Sequence, residues 1–279
     1  MMPSMTDVRW TDQAAEFLTY AGDYLREWPA EHSVILTNAE RRVDMLDADN
    51  LWGWAVSPGG SVVAAAIHTP PFGAYLSLAP DEPIRVLAAA FHKRGRQLPG
   101  VGGFRRPVET FAAEWARRTS AEVQTTMRQW AYTADTVTLP NGVPGRIRRA
   151  DLGDRAVLAE WVAAFHVDTG LPAEPSADLD ERIEAGRLFV WLVDDRPVSM
   201  AGVTPPAGGV TRVQYVYTPA DQRGHGYASA CVAAVTAGEL AATGRTCMLY
   251  TDLTNPTSNG IYQAIGYRLL GEAVQVGFG

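Results

Sequence analysis

Two periodicities of hydrophobic positions divide the second half of the chain into strands and helices. Within residues 210–218, Val213, Tyr215 and Tyr217 recur at every second position, which predicts a strand with one apolar face. After Asp151 apolar side chains recur at every third or fourth position, which predicts a helix. The helical positions are Leu158, Trp161, Val162 and Phe165. This change of period within one half of the chain indicates a mixed α/β fold.

Turn residues arrange these segments in a definite order. Asp194-Asp195-Arg196 separates two apolar runs and predicts a tight hairpin. The second half has the predicted order β-α-α-β-β-β-α-β-α-β, and the first half follows a similar order more loosely. Hairpins followed by βαβ units predict mixed sheets with helices on both faces. The predicted strands are 51–56, 61–69, 73–78, 122–137, 146–149, 187–194, 197–203, 210–218, 247–253 and 267–278, with a short segment at 101–104; the predicted helices are 11–28, 83–95, 108–119, one from 151, 177–186, 227–242 and 257–265.

A linker-like stretch lies close to the midpoint of the chain. Residues 139–145 contain two prolines and two glycines, and strand-like segments flank them. A boundary near residue 141 divides the 279 residues into parts of similar size. We therefore predict two domains, 1–140 and 141–279, and a fold duplication without sequence repetition.

Composition narrows the class of partner. The chain has 24 Lys and Arg against 31 Asp and Glu, a formal charge of −7, which argues against nucleic-acid or anionic-membrane partners. Its longest apolar run, residues 62–67, is far shorter than the roughly 20 residues of a membrane span. Cys231 and Cys247 are too few for a zinc cluster and are expected to be buried or inert thiols. We expect no metal and a cytoplasmic location.

The segment Thr218-Pro-Ala-Asp-Gln-Arg-Gly-His-Gly-Tyr-Ala-Ser229 carries the most specific chemistry. It joins a strand to an alanine-rich helix, and its small residues let backbone N–H groups approach a ligand. A helix start adds unpaired donors and about half a positive charge, which suits a phosphate. The segment lacks the lysine of a P-loop. It also departs from the dinucleotide fingerprint, because Ser229 replaces the third glycine and a meander precedes it.

A second motif follows the next predicted strand. Asn255, Ser258, Tyr262, Gly266 and Tyr267 fit the pattern Asn-x-x-Ser/Ala-x-x-x-Tyr-x-x-x-Gly-Phe/Tyr. Together with Arg-Gly-x-Gly-x-Ala at 223–228, this resembles the GNAT superfamily of N-acyltransferases. The resemblance covers residues 145–279 closely and reaches the first half only through element order. It implies two GNAT-like domains, each a mixed, mostly antiparallel sheet flanked by helices, with the first domain degenerate.

The resemblance also implies an activity and a set of residues. The activity is direct transfer of an acetyl group from acetyl-CoA to a primary amine of a small molecule. Tyr262 would donate a proton to the departing thiolate, since a phenol of pKa about 10 stays protonated at neutral pH. The strand edge would pair with pantetheine, the loop would hold the pyrophosphate and the second motif would hydrogen-bond the arm. These cofactor-binding residues are Val216, Tyr217, Thr218, Arg223, Gly224, His225, Gly226, Tyr227, Ala228, Asn255 and Ser258.

The general base and the role of the first half stay open at this stage. Asp168, Glu174 and Asp252 are candidates for the base, and His166 is interpreted as a satisfied or exposed helix histidine. The first half has Leu78-Ala-Pro-Asp-Glu-Pro83 where the phosphate loop would lie, and its carboxylates would repel a pyrophosphate. The glycine-rich run at 100–103 is interpreted as a loop. A homodimer is one expectation, and a non-catalytic coenzyme A sensor is the alternative function.

Overall fold

The two halves of the chain follow the same order of elements. The computed structural model describes residues 6–45, 47–170, 177–242 and 245–279. The first half consists of β1 (Asp7–Thr11), α1 (Ala14–Glu27), α2 (Ser33–Arg41), β2 (Leu51–Val56), β3 (Val62–His68), β4 (Ala74–Leu76), α3 (Asp81–Lys93), β5 (Gly100–Phe104), α4 (Arg105–Thr119) and β6 (Val123–Ala134). The second half consists of β7 (Arg146–Arg149), α5 (Arg155–Thr169), α6 (Ala177–Glu184), β8 (Leu188–Val193), β9 (Arg196–Val203), β10 (Val210–Tyr217), α7 (Tyr227–Leu240), β11 (Thr246–Asp252), α8 (Pro256–Ala264) and β12 (Arg268–Phe278).

The chain forms two compact units that differ from a simple division at the midpoint. The first unit contains Met1–Ala131, Asp252–Thr254 and Leu270–Gly279, and the second contains Tyr132–Thr251 and Asn255–Leu269. The last ten residues therefore belong with the first unit. The predicted domains 1–140 and 141–279 stay a prediction about independent folding.

In the first unit, β1 to β4 pair antiparallel in chain order, and β4 pairs parallel with β5. Strand β12 then pairs antiparallel with β5, with Ala273 opposite Phe104 and Gly277 opposite Gly100. The core beneath this sheet is aromatic and aliphatic, and its fully buried members include Leu76, Ile84, Leu87, Phe91 and Phe111.

The second unit repeats the pattern. Strands β7 to β10 pair antiparallel, and β10 pairs parallel with β11. Asp194 and Asp195 both have positive φ, 48° and 58°, which fits the predicted tight hairpin. The core packs α5 and α6 on the sheet through Leu158, Leu179, Val190 and Met200. The predicted mixed, mostly antiparallel sheets are confirmed.

Three predictions in the first half are wrong. Thr11 closes strand β1 and does not begin a helix; its hydroxyl accepts a hydrogen bond from the N–H of Gln13 at 3.1 Å just before α1. The prediction of a single helix before β2 is also wrong, since the nine-residue helix α2 follows α1. The glycine-rich run is buried strand β5, since a side chain at Gly100 would collide with the carbonyl of Val276 on the paired strand β12. There the glycines serve close strand packing.

The second half follows its predicted bounds closely. Strand β7 and the start of α7 are where the pattern predicts them. Helix α7 ends at Leu240, two residues before the predicted end at 242, and Gly244 lies outside the described residues. Helix α5 follows a short 3-10 turn in which Asp151 accepts from the N–H of Gly153 at 2.8 Å. Asp154 is buried there and binds Arg148 through both carboxylate oxygens, at 2.8 and 2.9 Å. These bonds fix where α5 begins.

Candidate functional site

The second unit has an opening between the two parallel strands β10 and β11. Their pairing runs only from Val210 opposite Thr246 to Val213 opposite Leu249. Strand β10 continues to Tyr217, so its last four residues have no pairing to β11 among the described residues. A peptide-like ligand can hydrogen-bond to a free strand edge of this kind. Two of the predicted pantetheine residues, Val216 and Tyr217, lie on this edge.

A bulge in β10 accompanies the opening. The register with β9 shifts between Gln214 and Tyr217, and Tyr215 adopts a positive φ of 52°. Such a bulge bends a strand and re-aims its side chains, and bulges are common beside functional sites. Thr218 follows the strand and exchanges a hydrogen bond with Ser199 at 2.9 Å. The bend therefore shapes the strand edge that leads into the glycine motif.

The predicted phosphate loop is an exposed turn that runs straight into α7. Gly224 and Gly226 have φ of 83° and 80°, a region that costs other residues about 1–2 kcal/mol. Gly226 precedes the first helical residue, and no side chain caps this helix start. No acidic residue lies in the first turn of α7. The first N–H groups of α7 thus offer the unpaired donors and the partial positive charge that an anion binds.

The remaining loop side chains hold the turn in shape. Arg223 forms an ion pair with Asp168 at 2.8 Å, and its Nε donates to the Thr218 carbonyl at 2.9 Å. His225 is exposed and stacks on Tyr227 with ring centroids 5.3 Å apart. Tyr227 is buried as the first residue of α7, and Ala228 is half-buried behind it. The loop and the strand edge thus adjoin along the chain.

The second motif forms the start of helix α8. Asn255 caps this helix, since its Oδ1 accepts from the N–H of Ser258 at 3.0 Å. That oxygen is therefore occupied, and only the amide NH₂ of Asn255 stays available to a ligand. Ser258 is half-buried one turn before Tyr262. Both predicted arm-binding residues lie in this first turn.

Tyr262 is buried, with 7% of its surface exposed. Burial raises the pKa of its hydroxyl to about 12. Its ring meets the ring of Tyr267 edge-on at 6.0 Å, and Tyr267 in turn shares a 2.7 Å hydrogen bond with Thr236. Within the described residues, no group hydrogen-bonds the Tyr262 hydroxyl. A protonated, unengaged phenol of this kind is able to donate its proton.

The carboxylates considered as general base are engaged elsewhere. Asp168 is paired with Arg223, and Asp252 accepts both the N–H and the hydroxyl of Thr254 at 2.7 Å. Glu174 lies outside the described residues. His166, in contrast, is buried, and neither of its ring nitrogens has a hydrogen-bond partner in the described structure. The interpretation of His166 as a satisfied or exposed histidine is wrong, because the helical period alone does not reveal which face of α5 the sheet covers.

Other features of the described residues bear on ligands. Cys231 and Cys247 are buried and free, as predicted, and burial raises the pKa of both thiols. Across the described ranges no cluster of three or more His, Cys, Asp or Glu side chains is arranged to hold a metal. A search of the same residues finds no helix with the length and apolar character of a membrane span.

Comparison with protein families gives one partial match. Residues 192–276 match the model of the FR47-like protein family, a span that includes β9, both motifs and most of β12. No curated protein matches the chain significantly. The family match thus falls on the segment where the two sequence motifs lie.

Comparison with solved structures covers nearly the whole chain. An acetyltransferase of the GNAT family from Colwellia psychrerythraea has a TM-score of 0.62 at 12% identity, over 98% of both chains. A GCN5-related N-acetyltransferase from Sphaerobacter thermophilus has a TM-score of 0.63 at 16% identity, over 99% of this chain and 96% of that one. A tandem GNAT protein from the clavulanic acid biosynthesis pathway has a TM-score of 0.55 at 14% identity, over 98% of both chains. The resemblance inferred from the two motifs is confirmed: the chain has the fold of the GNAT acetyltransferases, and its residues 192–276 are similar to the FR47-like family.

Proposed function

We propose that the second unit binds acetyl-CoA and transfers its acetyl group directly to a primary amine of a small molecule. The observation that carries this proposal is the free edge of β10 leading into an uncapped helix start. The edge at Val216, Tyr217 and Thr218 offers backbone partners to the amides of pantetheine. The turn from Arg223 to the first residues of α7 offers N–H donors to the pyrophosphate.

Charge supports the same assignment locally. The chain is acidic overall, so long-range attraction does not draw a phosphate to it. The binding must therefore come from backbone donors at short range. The exposed glycines Gly224 and Gly226 leave those donors accessible, while the charge of Arg223 is balanced by its ion pair with Asp168.

Tyr262 is the proposed proton donor to the coenzyme A thiolate. Its raised pKa keeps the proton on the phenol at neutral pH until a thiolate forms nearby. Asn255, through its amide NH₂, and Ser258 are the proposed contacts of the pantetheine arm. The first unit is the proposed degenerate partner domain, which makes the chain a tandem protein. The cytoplasmic location and the homodimer stay predictions from the sequence.

The test is release of free thiol from acetyl-CoA mixed with an amine. A panel of spermidine, kanamycin and benzylamine samples three kinds of primary amine, and a thiol reagent reports turnover. Calorimetry with coenzyme A measures binding separately. Failure of coenzyme A to bind at all would refute the cofactor assignment.

A second candidate is a coenzyme A-binding module without turnover. The observation in its favour is that Asp168 and Asp252, the described carboxylates considered as base, are both engaged. Tyr262→Phe separates the two candidates. An enzyme should lose about 100-fold in kcat with coenzyme A affinity nearly unchanged, since general acid catalysis contributes about 10²–10⁴-fold. A binding module binds coenzyme A in both forms and releases no thiol with any amine.

A further inference from the structure

His166 is a buried polar side chain that lacks a partner in the described structure. It lies near the end of α5 with 7% of its surface exposed, and neither Nδ1 nor Nε2 makes a hydrogen bond. An unsatisfied buried polar group costs about 1–3 kcal/mol. Such groups are uncommon and call for a physical reason, such as strain, a catalytic role or a bound water or ion.

The surroundings of His166 connect it to the opening in the sheet. Its ring meets that of Tyr215 edge-on at 6.1 Å, and the ring of Phe165 lies 5.7 Å away. Tyr215 belongs to the part of β10 that extends beyond its pairing with β11, and it has the positive φ of the bulge. The imidazole therefore lies against the strand segment that the proposed acyl donor would line.

The groups around His166 leave it free to accept a proton. Asp168, two residues further along α5, is neutralised by Arg223. Arg182 of α6 packs on the Tyr215 ring, with its guanidinium carbon 4.8 Å from the ring centroid. An imidazole with no hydrogen bond to either nitrogen keeps one lone pair available in its neutral form.

We propose that His166 is the catalytic base that takes the proton from the attacking amine, an inference that rests on the proposed function. The amine nitrogen attacks the thioester carbon and forms the C–N bond while one N–H proton passes to the His166 ring nitrogen. The tetrahedral intermediate then collapses, the C–S bond breaks and the thiolate takes the proton of Tyr262. His166 releases its proton to water and Tyr262 regains one from water, so the products are an amide and free coenzyme A.

The experiment compares His166→Gln and His166→Ala with Val167→Ala in the full-length protein. Glutamine keeps a polar side chain but cannot act as a base at neutral pH, and alanine leaves space for added imidazole. Val167 is the neighbouring residue with 82% exposure, which makes it a matched control. The probes are acetyl-CoA with spermidine, kanamycin or benzylamine for turnover, coenzyme A calorimetry for binding and thermal melting for folding.

We expect both His166 variants to lose about 100-fold in kcat, with coenzyme A affinity and the melting point close to wild type. Added imidazole should restore part of the turnover of His166→Ala and none of that of His166→Gln. If the wild type turns over and His166→Gln keeps more than half of the wild-type kcat, this inference is overturned and the proposed function stays intact. Loss of turnover in step with the melting point, without rescue by imidazole, would assign His166 a structural role and also overturn it. A wild-type protein that binds coenzyme A but acetylates no amine would refute the transfer reaction itself, and this inference with it.

Discussion

The strand-to-helix connections of the two units occupy the same place in the element order, but only the helix start of the first unit carries acidic side chains. In the first, α3 begins with Asp81 and Glu82, and Asp81 binds Arg106 at 3.0 Å and Thr110 at 3.2 Å. In the second, α7 begins without any acidic residue and without a side-chain cap. A carboxylate at a helix start occupies the electrostatic role that a ligand phosphate would take.

The two units also differ in the spacing of their parallel strands. In the second unit β10 extends four residues beyond its last pair with β11. In the first unit β4 ends at Leu76, and a side chain at Gly103 of β5 would place its Cβ 3.1 Å from the Leu76 carbonyl oxygen. The strands there are too close for a ligand. One order of elements thus yields an open strand edge or a closed sheet, depending on a few residues where the strands end.

The largest expected effect comes from giving the second helix start the charge of the first. Ala228 is the second residue of α7, as Glu82 is of α3. Ala228→Glu should raise the coenzyme A Kd by about 30–100-fold, because a like charge within about 5 Å of a phosphate costs about 2–3 kcal/mol near a surface. Ala228→Gln, of the same size without the charge, should raise it by no more than about threefold. Calorimetry at low salt measures both, and equal losses would show that bulk rather than charge separates the two connections.

A side chain at Gly103 tests the closed spacing of the first unit. Gly103→Ala should lower the free energy of unfolding by about 2 kcal/mol, since it combines a φ of 146° with a tight contact to a backbone oxygen. Urea unfolding measures this, and coenzyme A affinity should stay at the wild-type value. Gly59→Ala is the control, because its nearest neighbour would be a Ser57 hydroxyl 3.8 Å away. If Gly103→Ala were as stable as this control, β4 and β5 would have room to separate.

Local patterns were sufficient to predict the second unit. Periodicity placed its strands and helices to within about two residues, except that α5 begins four residues after the predicted Asp151, because each element there has turn residues at its ends. The glycine loop and the Asn255 helix cap are also local signals, since both depend on residues within one turn of each other. The same kind of signal failed for the glycine run of β5, where glycine is required by the distant strand β12.

Features set by distant residues could not be predicted. The pairing of β12 with β5 joins residues more than 160 positions apart, and no local pattern records it. The buried, unpartnered state of His166 depends on which face of α5 meets Tyr215, and the ion pair of Asp168 depends on the loop at Arg223. The one local signal is that His166 follows the apolar Phe165 in the last turn of α5; its contact with Tyr215 comes from a distant strand.

A smaller effect is expected on stability, where alanine should cost more at Gly226 than at Gly224 of the predicted phosphate loop. Gly226→Ala should destabilise the protein by about 1–2 kcal/mol, because φ is 80° and the new Cβ would lie 3.1 Å from Val143. Gly224→Ala has the same strain but no neighbour within 4 Å, so about 1 kcal/mol is expected. Gly238→Ala, inside α7 with open space and no positive φ, should stabilise by about 0.5–1 kcal/mol. Thermal melting of the three variants gives this order, and equal losses at 224 and 226 would rule out the Val143 contact.

The smallest effect is expected at the first helix start, where Asp81→Asn should change stability slightly and coenzyme binding not at all. The hydrogen bond from Arg106 holds the pKa of Asp81 below its ordinary value. The ionised Asp81 carboxylate therefore stabilises the folded protein at neutral pH. This stabilisation is lost as the pH falls through the ordinary carboxyl range and then the lower folded pKa. The melting-point difference between wild type and Asp81→Asn should accordingly shrink from pH 7 toward pH 2. In an Arg106→Gln protein, Asp81→Asn should no longer change the melting point. The double variant should therefore be no less stable than either single variant. Calorimetry should still count one coenzyme A per chain in every variant; a second molecule bound by Asp81→Asn would mean that charge alone, and not strand spacing, closes the first unit.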